Sequence, residues 1–325
     1  MRKVIFGMAL AIPMILLLSP AQPVYAGSCC GGGTAGALLM PKSAKWLFAG
    51  SGDFEKYNGY FDRGGKYLSD PPNSDLRQYR LNGGVALRLA SRWQAAFASG
   101  YVFNSNKYSG LVSNTNGPAD SVTSLTYETF DNIRCVWKVR KWADMVPAVY
   151  LASQLTLPTG VSPYDNVQSS FDITGRGFYR LEGKAIVEKT VYPFTLALTV
   201  LYGTHFARPV NRDYGLYVEP YRKRLGDRFT GTAALSYTFF TESMASLTVS
   251  TTYTYLYEAD ATINGYVDKT TGFSRHLFGA TLAWATPERE LIYTLSYNPA
   301  LREPGLQQNF PATHVVSIGV NYVIR

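Results

Sequence analysis

Few side chains in this sequence are spaced for covalent chemistry. Ser274 and His276 stand two residues apart, near the end of an alternating stretch. A serine beside a histidine suits nucleophilic attack on a lipid ester, because the imidazole can take the hydroxyl proton. No third group that would orient the histidine is recognisable, and an interfacial Ser and His is the plainer reading. Asp53, Asp62, Asp70 and Asp75 carry the hard oxygens that calcium prefers, but no ligand spacing supports a site. The chain has no Cys-x-x-Cys-His signature, zinc spacing, paired carboxylates or glycine-rich phosphate loop. No metal, cofactor or enzymatic activity is expected.

The more telling chemistry is ionic and periodic. Arg80, Arg88, Arg134, Lys138, Arg180, Glu182, Lys184 and Glu188 recur at even spacings, each set opposite an apolar set. In 77–104, Tyr79, Leu81, Val85, Leu87 and Leu89 fall on one face, and Gln78, Arg80, Asn82, Gly84 and Arg88 on the other. After Ser91 and Arg92 the pattern resumes with Trp93, Ala95, Phe97, Tyr101 and Phe103. Period two means strand, since successive side chains point to opposite faces. Each leg exceeds the about 9–11 residues a tilted strand needs to cross a bilayer. The charges then face water inside a barrel, where they either bias a pore or pair with one another to fill a narrow lumen.

The same alternation marks 45–57, 121–140, 147–158, 176–189, 193–206, 229–240, 245–258, 273–285, 290–298 and 313–325. With the hairpin this makes about twelve strands, an even number as single-chain bacterial barrels have. Cys135 is placed on the outward face with Ile133 and Trp137. Connections alternate: short near 91–92, 141–146, 190–191, 241–243 and 287–288, long between. Short periplasmic turns and long outer loops are the barrel rule. Trp46, Trp93, Trp137, Trp142 and Trp284 all lie beside short turns or the start of the first strand, as an interfacial girdle requires. Tyr57, Tyr79, Tyr101, Tyr202 and Tyr257 would form the outer girdle. A soluble β-sandwich would not sort its tryptophans by turn length.

The first 26 residues combine Arg2 and Lys3, an apolar core and a small-residue end at Ala26, which reads as a cleaved signal peptide. Its removal takes two positive charges from the formal +8, leaving +6. The rest of the chain has no apolar run near ~18 residues, which excludes helical spans but not a barrel. Basic residues are scattered, so nucleic acid is not an expected partner. Residues 27–43 are glycine-rich and aperiodic, a mobile or plugging segment containing Cys29 and Cys30. The domain reading is thus a leader (1–26), this segment (27–43) and a barrel (44–325). The expected setting is the bacterial outer membrane, with its lipid, lipopolysaccharide and barrel-assembly machinery as partners and a small solute as cargo.

Pro147-Ala148-Val149-Tyr150-Leu151, Leu157-Pro158-Thr159-Gly160 and the run from Phe171 to Tyr179 (FDITGRGFY) resemble the outer-membrane transporter family called putative MetA-pathway of phenol degradation. Leu87 to Trp93 and Val316 to Tyr322 are similar to it too. The resemblance implies a barrel passing small, often hydrophobic or aromatic, compounds. The chain departs from the barrel pattern at its end, where Arg325 replaces a terminal aromatic. The expected fold is all-β, a transmembrane antiparallel up-and-down β-barrel. The expected function is an outer-membrane transporter or channel. A scaffold barrel of an envelope complex and, more remotely, a membrane lipid hydrolase are the alternatives.

Overall fold

The computed structural model describes residues 38–167 and 172–325. The expected leader and the cysteines Cys29 and Cys30 lie outside the described residues. Twelve antiparallel strands form the barrel. They are β1 (Trp46–Phe61), β2 (Asp75–Ala90), β3 (Trp93–Tyr108), β4 (Ser121–Glu128), β5 (Ala148–Leu157) and β6 (Arg180–Val191). The rest are β7 (Phe194–His205), β8 (Arg228–Phe240), β9 (Ser246–Glu258), β10 (Phe273–Ala285), β11 (Leu291–Asn298) and β12 (Phe310–Ile324). Each pairs with its neighbours in sequence, and β1 pairs with β12 from Trp46↔Ile324 to Phe61↔Phe310. Closure leaves no open edge in the wall, and backbone groups in lipid tolerate none. Among the described residues no helix is long and apolar enough to cross a membrane.

Register follows from alternation, because a one-residue slip would turn every side chain to the wrong face. Leu196, Leu198, Val200 and Tyr202 on β7, Phe278, Leu282 and Trp284 on β10, and Ile318, Val320 and Tyr322 on β12 stand exposed on the outer surface. The opposite phase faces in. There Thr232 pairs with Thr254 at 3.0 Å, Ser250 with Ser236 at 2.8 Å and Thr238 with Thr248 at 3.0 Å. Such a continuous apolar exterior over a hydroxylated interior is the reverse of a soluble protein and suits a lipid-facing wall.

The long connections are structured. Leu111–Pro118 folds back on β3, and Arg208–Asp213, Leu216–Arg224, Ala261–Ile263 and Tyr266–Asp268 form a separate four-stranded sheet beyond the barrel end.

Three expectations need correction. The stretch 121–140 is a strand only to Glu128. Its partners β3 and β5 begin at Trp93 and Ala148, so residues past Glu128 have no ladder to join. The β4–β5 connection therefore runs 129–147 and is long, with a short 3-10 turn at Trp142–Met145. There Asp144 accepts from the backbone N–H groups of Arg140 (2.9 Å) and Lys141 (3.1 Å), which hold its carboxyl below the usual range. Cys135 lies in this connection rather than on a strand face, and forms no disulfide among the described residues. Tyr57 shares the parity of the inward Asp53 and Glu55, so it faces the lumen. The register shift between Tyr57 and Tyr60 instead turns Tyr60 outward into the girdle position.

Candidate functional site

The lumen is closed at the short-turn end by residues 38–43. Met40 is 1% exposed and packs with Ala44 and Leu47 against Ala86, Ala285, Ile292 and Val323 from the inner wall. Leu39 packs on the other side with Phe130, Ala148, Tyr150 and Ile186. The polar anchors are specific. The Met40 N–H donates to Gln94 Oε1 at 2.9 Å. Lys42 Nζ reaches Glu128 Oε2 at 2.6 Å and the carbonyl oxygens of Ser91 (2.6 Å) and Phe130 (3.0 Å). Arg88 donates to the carbonyls of Ala44 and Pro41, both at 2.9 Å, and to Glu128 Oε1, also at 2.9 Å. Glu128 is fully buried and takes two cations, so it holds the segment to β2 and β4 at once.

Above this closure lies a cavity of about 320 Å³. Its wall comes from β1–β4 and β10–β12: Ser51, Asp53, Asn82, Thr281, Thr294, Ser296, Asn298, Ser317 and Asn321 present polar groups, and Leu38 forms its floor. Space exists because the inward residues are small. A Cβ added at Gly84 would meet Leu38 at 2.5 Å, and one at Gly100 would meet Asn82 Oδ1 at 2.7 Å. Asp53 lines the cavity and is held by Asn82 Nδ2 at 2.8 Å and Arg80 Nε at 3.4 Å. Arg80 is itself fixed to Glu55 at 2.5 Å.

The opposite half of the lumen is filled by charge. On β6, Arg180 Nε lies 3.0 Å from Glu182 Oε1, and Gln154 of β5 donates to Glu182 Oε2 at 2.9 Å. Arg176 makes a bidentate pair with Glu258 of β9 at 2.5 and 2.7 Å. Arg176 ends a strap over the mouth. Asn104 on β3 donates to the Ile173 carbonyl at 3.4 Å, and Ser113 pairs with Asp172, so 172–176 runs from the β3 side to the β9 side. Asp120 ties both ends of this loop, accepting from the Gly160 N–H (3.0 Å) and the Arg176 N–H (2.8 Å). Gly160 and Gly175 pass so closely that a Cβ on either would lie 2.7 Å from the other's Cα. Of the short motifs behind the family resemblance, Leu157–Gly160 and the described part of the second, 172–179, thus build this loop, while the others lie on β5, β12 and the β2–β3 hairpin.

The expected site residues separate. Arg180, Glu182, Lys184 and Glu188 face inward on β6, but on the filled side. Arg80 and Arg88 face inward but are tied to carboxylates rather than lining the cavity. Arg134 and Lys138 are not on the barrel wall: both fall in the 129–147 connection, Arg134 beside Glu188 at the short-turn mouth and Lys138 exposed. Trp46, Trp93 and Trp284 sit at the short-turn rim, paired with Phe48, Tyr127 and Tyr293. Trp137 packs there against Tyr192 and Phe240. Trp142, 91% exposed in its 3-10 turn, stands off the wall. Ser274 and His276 do not assemble a nucleophile. Both are on the outer face of β10, where Ser274 Oγ donates to Gln308 (3.5 Å) and His276 shares a hydrogen bond with Tyr253 (2.7 Å). The four aspartates are likewise dispersed, Asp62 on the Lys66 N–H, Asp70 on the Gly59 N–H and Asp75 on Arg77. The cavity-lining Asn82, Thr281, Thr294, Ser296 and Ser317 have the inward phase that alternation gives them but were not among the expected pore-lining residues; the inward run of Gly84, Gly100 and Gly319 was the signal that could have singled them out.

No protein-family model matches the chain, and no curated protein matches its sequence. Among solved structures, the COG4313 outer membrane channel from Pseudomonas putida F1 matches with a TM-score of 0.63 at 12% identity, covering 89% of this chain and 97% of that one. The beta domain of the Bordetella autotransporter Brka (TM-score 0.48, 11% identity, 87% and 100% covered) and the NanC porin (0.44, 12%, 85% and 98%) are more distant and carry no argument. At these identities the likeness concerns the fold alone: this chain is a closed twelve-stranded antiparallel barrel of the outer-membrane type.

Proposed function

We propose that the protein is an outer-membrane channel for small solutes, with its conduit along the β10–β4 side of the lumen. The observation that carries this reading is the cavity of about 320 Å³, lined by both polar and small apolar groups, inside a lipid-facing wall. Barrels of about eight strands are filled by side chains and those of sixteen or more leave an open channel, so twelve strands suit a narrow, gated path. Residues 38–43 are the gate at the periplasmic mouth and must shift for a solute to leave.

The cavity bears on the solute. Its lining is hydroxyl, amide, carboxylate and small aliphatic, with no aromatic ring. That favours a small solute carrying hydrogen-bonding groups beside an apolar part over the purely hydrophobic cargo implied by the family resemblance, since a wholly apolar guest would leave those polar groups without partners. A docking role for 38–43 in an envelope complex would require it to leave packing that buries Met40. The outer aromatic rims are the expected contacts with membrane lipid and lipopolysaccharide.

Planar-bilayer recording and liposome swelling with neutral sugars test the reading. Wild type is expected to pass small current, and Lys42→Ala with Arg88→Gln together to raise it. Folded protein that passes neither ions nor sugars in either form refutes the channel.

A further inference from the structure

We propose that Arg228 and Arg180, flanking β7 in the outer half of the lumen, form a binding site for the carboxylate of a small solute. The proposal rests on the channel reading for its purpose but not for its geometry. Arg228 opens β8 opposite Gly203 of β7, and Arg180 opens β6 opposite His205 of the same strand. Both guanidinium groups therefore face the lumen on either side of one strand, and Arg228 lies within electrostatic reach of Arg180 and Arg176 and of Glu182 and Glu258, the last directly across from it on β9.

The carboxylates nearby are already committed. Glu258 is taken by Arg176 in a bidentate pair, and Glu182 by Arg180 and Gln154. Among the described residues Arg228 makes no ion pair, and its Nε is buried with no hydrogen-bond partner. The Arg180 Nε is also buried without a hydrogen bond, since its 3.0 Å approach to Glu182 is misaligned for one. Buried donors are nearly always satisfied, so two orphaned guanidinium Nε groups at one level of the wall mark a place for an acceptor. Water can fill the hydrogen-bonding role but not the charge. A planar carboxylate fits the fork of a guanidinium with two N–H···O bonds.

His205 adds a direction. Its Nδ1 must donate to the Gly226 carbonyl at 2.8 Å, which leaves Nε2 as a buried acceptor without a partner. A hydroxyl on the same solute could donate to it while the carboxylate is held by the arginines. The neighbours of Arg228 on the inner face of its own strand are the small Thr230 and Thr232, so a solute enters this filled half by shifting the long Arg180 and Arg228 side chains.

Isothermal titration of the folded barrel in a zwitterionic detergent tests this, with sodium acetate, sodium lactate, sodium phosphate and sodium chloride at matched ionic strength. Saturable heat is expected with acetate, and tighter binding with lactate. Arg228→Gln should weaken acetate binding by about tenfold or more, as loss of a charged hydrogen-bond partner does. Arg228→Lys should retain part of it, and His205→Phe should remove only the lactate advantage. No saturable heat with acetate or lactate in wild type, the same heat with chloride alone, a preference for phosphate, or an unchanged affinity in Arg228→Gln each overturns the site. Conductance without acetate binding refutes the site and leaves the channel standing. Acetate binding without conductance does the reverse.

Discussion

The two halves of the lumen are built from the same strand pattern and end in opposite states. On β10–β4 the inward positions at the level of the cavity are mostly Gly, Ala, Ser, Thr and Asn, with Asp53 among them, while the larger Glu55, Arg80, Arg88 and Glu128 are tied into ion pairs outside its lining, and a cavity results. On β5–β9 they include Arg180, Glu182, Lys184, Arg228, Tyr150 and Gln154, and the space is filled. Barrel circumference sets how much room there is, but side-chain volume decides on which side it is left. The two halves are joined at the short-turn end, where Glu128 holds residues 38–43 beneath the cavity.

The sharpest way to break this comparison is to fill the open half. Ser317→Phe is expected to remove most of the single-channel current, while Thr199→Phe, inward on the filled side, leaves most of it. Equal losses in the two variants would mean that the conduit is not confined to one side. Next in size is Glu128→Ala, which strands Lys42 and Arg88 in a buried setting. It should cost about 3–5 kcal/mol in denaturant unfolding from detergent, the range for breaking a buried pair from one side. A loss near zero would show that the closure does not depend on this carboxylate.

Outside, the halves should not differ at all. Leu198→Arg behind the filled side and Ile318→Arg behind the open side both face lipid, and each should cost about 2–4 kcal/mol if near the midplane. A clear inequality measured in lipid vesicles would mean that one wall is not lipid-exposed. The smallest effects concern the hydroxyl pairs. Thr238→Val removes a buried pairing with Thr248, and Thr281→Val one with Ser296 beside the cavity. Each should cost about 0.5–1.5 kcal/mol, with Thr281 at the low end because cavity water can replace the lost partner. A larger cost at Thr281 would argue for a dry cavity.

Much of the barrel was legible because period two is a local property. The β2–β3 hairpin, the even strand number and the inward phase of Arg80, Arg88, Arg180, Glu182, Lys184 and Glu188 all follow from alternation. The failures are equally physical. Alternation at Ile133, Cys135 and Trp137 continues beyond the point where β3 and β5 can pair with it, so Arg134 and Lys138 were placed on a wall that does not extend so far. Tyr57 was assigned by its closeness to a loop, whereas parity with Glu55 places it inside.

What the sequence determined by itself was which side chains face lipid and which face the lumen, because the pleat fixes that residue by residue. Only the tertiary structure decided which inward charges meet across the barrel, that Glu128 takes both Lys42 and Arg88, that Arg176 reaches Glu258 from a loop, and that Arg228 is left without a carboxylate. Those pairings join residues distant in the chain, and they depend on how closure of the barrel brings its strands to a common level.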